Sequence, residues 1–183
     1  MKQYIIEEAS LWLPKIRAGE EILLSGTVYT ARDAAHKRIE ELLNNKSPLP
    51  FPIKGSFIYY AGPTPPKNGL PIGSCGPTTS SRMDVYAPRL YRLGLAGTIG
   101  KGERGQAVID AIVETGACYL CAIGGAGALA TQAIESCEVI AFEELGCESV
   151  KRLVFRDFPL FVGIDSKGNN IFGNRALYEK RQT

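Results

Sequence analysis

Arg32 and His36 stand four residues apart in YTARDAAH, and Thr78 and Arg82 stand four apart in GPTTSSRMD. On a helix that spacing puts both members of each pair on one face. A third cation, Lys101, sits between two glycines in IGKGERG. Arginine grips a carboxylate through two parallel hydrogen bonds, and lysine adds a compact point charge. Three cations on similar loops therefore suggest an anionic ligand, with a dicarboxylate matching the amount of charge. Thr78 adds a hydroxyl that a neighbouring cation could help to lose its proton. Each residue also has a plainer reading. The cations could be solvated helix-end charges, Thr78 an N-cap, and His36 a satisfied helix-face contact. Glu40, one turn beyond His36, could simply pair with an arginine or lysine at the surface.

These residues need elements to hold them. EEILLSGTVYT (20–30) is rich in apolar and β-branched residues and predicts a strand. It leads into TARDAAHKRIEELLNN, a predicted helix over 30–45 capped by Thr30, with Asp33 at the capping-box position and Ala35, Ile39, Leu42 and Leu43 on one apolar face. SFIYYAG (56–62) predicts a strand that ends in a proline-rich loop, followed by a helix from about Thr79 to Leu93. In that stretch Thr79 or Ser80 is expected to cap. LAGTIG (95–100) predicts a short buried strand and ERGQAVIDAIVETG (103–116) a helix closed by Gly116. ACYLCAIGG predicts a strand, AGALATQAIES (126–136) a helix and CEVIAF a strand. One or two further strands are expected in KRLVFRDFPLFVGIDSKGN, with a turn at Lys167–Asn169, and a surface helix from Asn174 onward. Strands and helices alternate through the second half, which implies parallel strands with crossover helices. The first half and the C-terminus add strands with less helix between them, in a layered α/β domain with a partly parallel sheet and more than one sheet in all. In such domains the loops after strands form the binding edge, and all three cations fall on those loops.

With 183 residues, no internal repeat and no low-complexity linker, the chain suits a single domain over 1–183. Its 22% charged and 45% hydrophobic residues are an ordinary globular balance. A formal charge of +2 is too small to point to nucleic acid or an acidic membrane surface. No apolar run approaches a membrane span, and the N-terminus lacks a secretory apolar segment, so a cytoplasmic protein is expected. Cys75, Cys118, Cys121, Cys137 and Cys147 form an odd, irregularly spaced set that argues against a secreted disulfide framework. Cys118 and Cys121 make a CxxC, but in an extended strand residues three apart face opposite ways and do not converge on one ion. They read as buried structural thiols, and no metal ligand is expected in this chain. The glycines of IGGAGALA (123–130) allow close backbone approach to a ligand, yet neither this loop nor GKGERG has the order of a nucleotide-binding motif.

YTARDAAHKRI, IYYAGPTP, GPTTSSRMD, GKG, IGGAGALA and FEELGCESV occur in an order that resembles one family. It is the β subunit, or C-terminal domain, of the iron–sulfur-dependent class I fumarate hydratases and L-tartrate dehydratases. The resemblance runs from about Ile5 to Asn170 and rests most heavily on RDxAH and GPTTxxRM. It implies a swivelling β/β/α domain and a hydro-lyase that reversibly adds water to fumarate. The implied cofactor is a [4Fe–4S] cluster carried by a separate α subunit, with an α2β2 assembly. By motif, Arg32, Arg82 and Lys101 correspond to substrate-carboxylate clamps and Thr78 to the proton-abstracting hydroxyl. His36 stands at the pocket edge as a second catalytic candidate. AIGGAGALA is more similar to the fumarase pattern IGGPAA than to the PAGCA of tartrate dehydratases, which favours fumarate. The alternatives are a dehydratase subunit for tartrate or a methyl-substituted dicarboxylate, and a stand-alone anion-binding or regulatory module.

Overall fold

The computed structural model describes residues 1–66, 69, 71–122 and 131–173. Among these, seven strands form one sheet rather than the several expected: β1 (Lys2–Ile5), β2 (Glu21–Thr30), β3 (Phe57–Tyr59), β4 (Gly97–Gly100), β5 (Cys118–Cys121), β6 (Ile134–Ala141) and β7 (Val150–Ile164). β1 to β5 pair in parallel in that order. β7 is antiparallel to β5, β6 and β2. Its 15 residues let it meet β5 near Val162 and β2 from Phe161 to Arg152, so strands β2, β3, β4, β5 and β7 close into a ring. This closure is why one sheet suffices: a strongly twisted sheet curls on itself instead of splitting.

The period-2 alternation of strands sorts side chains into two cores. Phe57 and Tyr59 of β3, Cys118 and Leu120 of β5, and Leu153, Phe155 and Leu160 of β7 fill the inside of the ring. A short helix α1 (Ala9–Trp12) joins them, with Trp12 stacked on Phe57 at 5.9 Å. The opposite residues, Ile58, Tyr60 and Tyr119, face an outer core under α2 (Asp33–Asn44), α3 (Ala87–Arg92) and α4 (Gln106–Thr115). α4 ends as expected at Gly116, whose φ of 69° is the left-handed cap conformation.

Several local expectations change. Thr30 does not cap α2: its hydroxyl donates to Ser149 O (3.3 Å) and accepts the Lys151 N–H (3.0 Å), tying β2 to β7. The helix expected from Thr79 splits into a 3-10 turn (Ser80–Met83) and α3, because Pro88 fits only the first turn of a helix. Ile134–Ser136, expected in a helix, open β6 and pair with β7; residues 126–130 of that helix lie outside the described residues, as does the expected helix from Asn174. β1 was not anticipated at all.

Candidate active site

Because β2 to β5 run in parallel, their C-terminal ends share one edge of the ring. β2 ends at Thr30, and Arg32 takes the N-cap position of α2 in extended conformation (φ −116°, ψ −161°). β3 leaves through Tyr60, Ala61 and Gly62. The GPTT segment returns to this edge and inserts between β3 and β4: Pro77 bridges Ala61, the Thr78 N–H donates to Tyr60 O (2.6 Å), and the Lys101 N–H donates to Thr78 O (3.3 Å). The Ser80 N–H then reaches Lys101 O at 2.9 Å. Thr78 is thus held as a short strand-like rung beside Lys101, not on a helix face with Arg82. Gly100 makes this insertion feasible, since a Cβ there would strike the Ser80 hydroxyl and the Tyr60 ring.

Arg82 projects from the 3-10 turn toward α2, and its Nε and Nη2 donate to the two oxygens of Asp33 at 3.0 and 2.6 Å. Arg32 lies on the other side of the edge, its Nε 3.2 Å from Glu148 Oε1 in an ion pair that does not align as a hydrogen bond. Gly62 leaves the room that Arg32 needs, because a Cβ there would fall 2.8 Å from Nη1. Lys101 is exposed, with no ion-pair partner among the described residues. The loop 123–130, expected as the fourth part of the edge, lies outside the described residues. Arg32, Thr78, Arg82 and Lys101 therefore gather on one edge, from three loops that are distant in sequence.

His36 occupies a different environment. It is 1% exposed, stacked on Tyr86 (5.5 Å between ring centres) and edge-on to Tyr60 (5.4 Å). Its Nδ1 lies 2.8 Å from Arg32 O, and since a carbonyl only accepts, Nδ1 carries the proton. Nε2 is buried without a partner among the described residues. Burial lowers the imidazole pKa to about 4, against a smaller opposite push from the Arg32 carbonyl, so the ring is neutral near pH 7. His36 fixes the Arg32 backbone from beneath.

Three contributors escaped the sequence reading. Arg104, in the same GKGERG loop as Lys101, has no exposed side-chain surface. It donates to Asp84 (2.7 Å), Thr98 (2.9 Å) and Tyr60 (3.3 Å) and lies over the rings of Tyr60 and Tyr119. Glu148 is brought to Arg32 by the 3-10 segment Glu143–Glu148, which buried Lys151 fastens through Gly146 O and Cys147 O (both 3.1 Å). Asp33 read as a capping residue and instead grips Arg82. Glu40 does pair at the surface, with Arg89 at 2.5 Å.

The cysteines do not fit the ligand set of a cluster. Cys118 faces the inner core and Cys121 the outer one, as the strand period requires. Burial raises all three innermost thiols, Cys75 to about 12 and Cys121 to about 11, which keeps them protonated. No group of three or more His, Cys, Asp or Glu among the described residues is placed to hold a metal. Nor is any described helix long and apolar enough to cross a membrane.

Residues 3–175 match the family described as Fumarase C-terminus. Fumarate hydratase 2 of Leishmania major is 41% identical over 91% of the chain, and the anaerobic class I fumarate hydratase of Escherichia coli 40% over the same share. The chain spans about 30% of the length of these relatives. The L(+)-tartrate dehydratase subunit beta of Escherichia coli is 35% identical over 93% of the chain and 86% of its own length. The expected resemblance thus holds over nearly the whole sequence, and the chain belongs to the fumarase C-terminus family.

Proposed function

We propose that this chain is the β subunit of a hydro-lyase that reversibly hydrates fumarate to L-malate. In this reading it supplies the carboxylate clamps and the proton-abstracting hydroxyl. The observation that carries it is the convergence of Arg32, Thr78, Arg82 and Lys101 on one strand-end edge. Arg32 and Arg82 hold the carboxylates of a small dicarboxylate, and Lys101 adds charge beside Thr78. Removing a proton next to a carboxylate builds a second negative charge there. Cations fixed at that point stabilise the transition state more than the substrate. Thr78 takes the proton, with Lys101 favouring its ionised form, while His36 stays neutral and keeps Arg32 in place. This reading assigns the [4Fe–4S] cluster to an α subunit, the two chains forming an α2β2 assembly in the cytoplasm.

A tartrate dehydratase β subunit is the second reading. It is supported by the 35% identity, over 93% of the chain, to the L(+)-tartrate dehydratase subunit beta of Escherichia coli. Anaerobic co-expression with a cluster-binding α subunit, assayed on fumarate, malate and tartrate, decides between them. Turnover of fumarate above tartrate supports the first reading. A chain that binds malate alone and never joins an α partner refutes both.

A further inference from the structure

We infer that Asp33 is a positioning residue for Arg82, which rests on the assignment of Arg82 as a carboxylate clamp. A guanidinium offers two forked edges, one formed by Nε and one Nη, the other by the two Nη groups. Asp33 takes the first, with Oδ1 on Nε at 3.0 Å and Oδ2 on Nη2 at 2.6 Å. The terminal edge is thereby turned outward and remains available for a second carboxylate.

The carboxylate that sets this orientation is itself fixed. Asp33 is the first residue of α2 and has a one-carbon arm. α2 is anchored by buried Ala35, His36 and Ile39, and by the Arg89 bridge to Glu40 and Asn44. Stability alone does not account for the pair. The side chains of Arg82 and Asp33 are 51% and 37% exposed, and such ion pairs add little to folding. An acid beside a dianion site also weakens the attraction of the ligand. Orientation of the clamp is what offsets that cost. The neighbouring residues Arg32 and Asp33 thus have complementary tasks, one holding the ligand and the other aiming the arginine of a different loop.

The test is a double-mutant cycle in the complex of this chain with its cluster-bearing partner. Asp33→Asn is expected to raise KM for the dicarboxylate about tenfold, with kcat changed less than about threefold and an unchanged melting temperature. Arg82→Lys, which lacks the two forks, should raise KM as well. Adding Asp33→Asn to it should then cost nothing more. Asp33→Glu, which keeps the charge, should recover most of the loss. A full Asp33→Asn effect in the Arg82→Lys background, or an unchanged KM in the single variant, overturns the inference while leaving the clamp assignment standing. Unchanged kcat/KM in Arg82→Ala overturns both.

Discussion

Arg82–Asp33 and Arg104–Asp84 are the same chemical pair, joined at 2.6 and 2.7 Å, and together they grip the turn Ser80–Met83 and the residue after it. Their surroundings differ completely. Arg82 is half exposed and keeps one edge of its guanidinium free of the ion pair. Arg104 is fully enclosed, with its donors shared among Asp84, Thr98 and Tyr60 and its plane against two tyrosine rings. Against the cost of burial, Tyr60, Tyr91 and Asp84 hold the guanidinium firmly in its charged form. One pair leaves an edge of its arginine open to solvent; the other is closed among the loops that carry it.

Breaking the comparison at its buried end has the largest effect. Arg104→Ala takes the buried guanidinium from Asp84, Thr98 and Tyr60 and should lower the unfolding free energy by about 3–5 kcal/mol in urea titrations. Arg104→Lys should restore less than half of that, because an ammonium cannot serve three directions in one plane. At the exposed end, Arg82→Ala should cost about 3 kcal/mol in kcat/KM of the assembled enzyme, on the scale of a lost charge-assisted anchor. Its melting temperature should stay near that of the unaltered protein.

The layer between the two pairs is sharpened by pH. His36 has a folded-state pKa of about 4, below its ordinary value of 6.5, so the unfolded chain binds the proton first. The stability held by neutral His36 is complete above about pH 6.5 and is lost as pH falls through about 4. Its full size is of the order of 3 kcal/mol. Unfolding measured at pH 7 and pH 4.5 should show this fall, and His36→Gln should be flatter over the same interval. The smallest effect belongs to Arg92–Glu114, a surface pair at 2.9 Å with both partners more than half exposed. Arg92→Ala should change stability by less than about 1 kcal/mol, and a larger loss would mean that exposure is a poor guide in this fold.

The exposed end of the comparison was legible in the sequence and the buried end was not. Arg32, Arg82 and Lys101 stand out because strand-to-helix junctions are local patterns, readable from alternation, glycines and charge. Arg104 is only three residues from Lys101, yet its burial depends on Tyr60 and Tyr119 arriving from β3 and β5. Nothing within its own loop announces this. Thr30 shows the same limit: its hydroxyl matches the capping rule, but β7 offers it Ser149 and Lys151, from 119 and 121 residues away. The parallel pairing of β4 with β5 followed from the alternation of strands and helices in the second half. The return of β7 to β2 did not, since antiparallel closure over such a separation leaves no local mark. Asp33 shows both sides of this: its place at the helix start was readable, while its partner was not.

That closure carries a kinetic consequence. Glu21 of β2 pairs with Phe161 of β7, so the ring is completed only when residues 140 positions apart have met. Folding that waits on distant pairings is slow, because the loop must close before its contacts repay the lost entropy. During synthesis β2 has a parallel neighbour in β3, but the Phe161–Arg152 side of its ladder stays vacant until β7 has left the ribosome. A newly made chain therefore exposes one of its longest strands as an open edge until β7 emerges. That interval is when it is most prone to pair with the wrong neighbour.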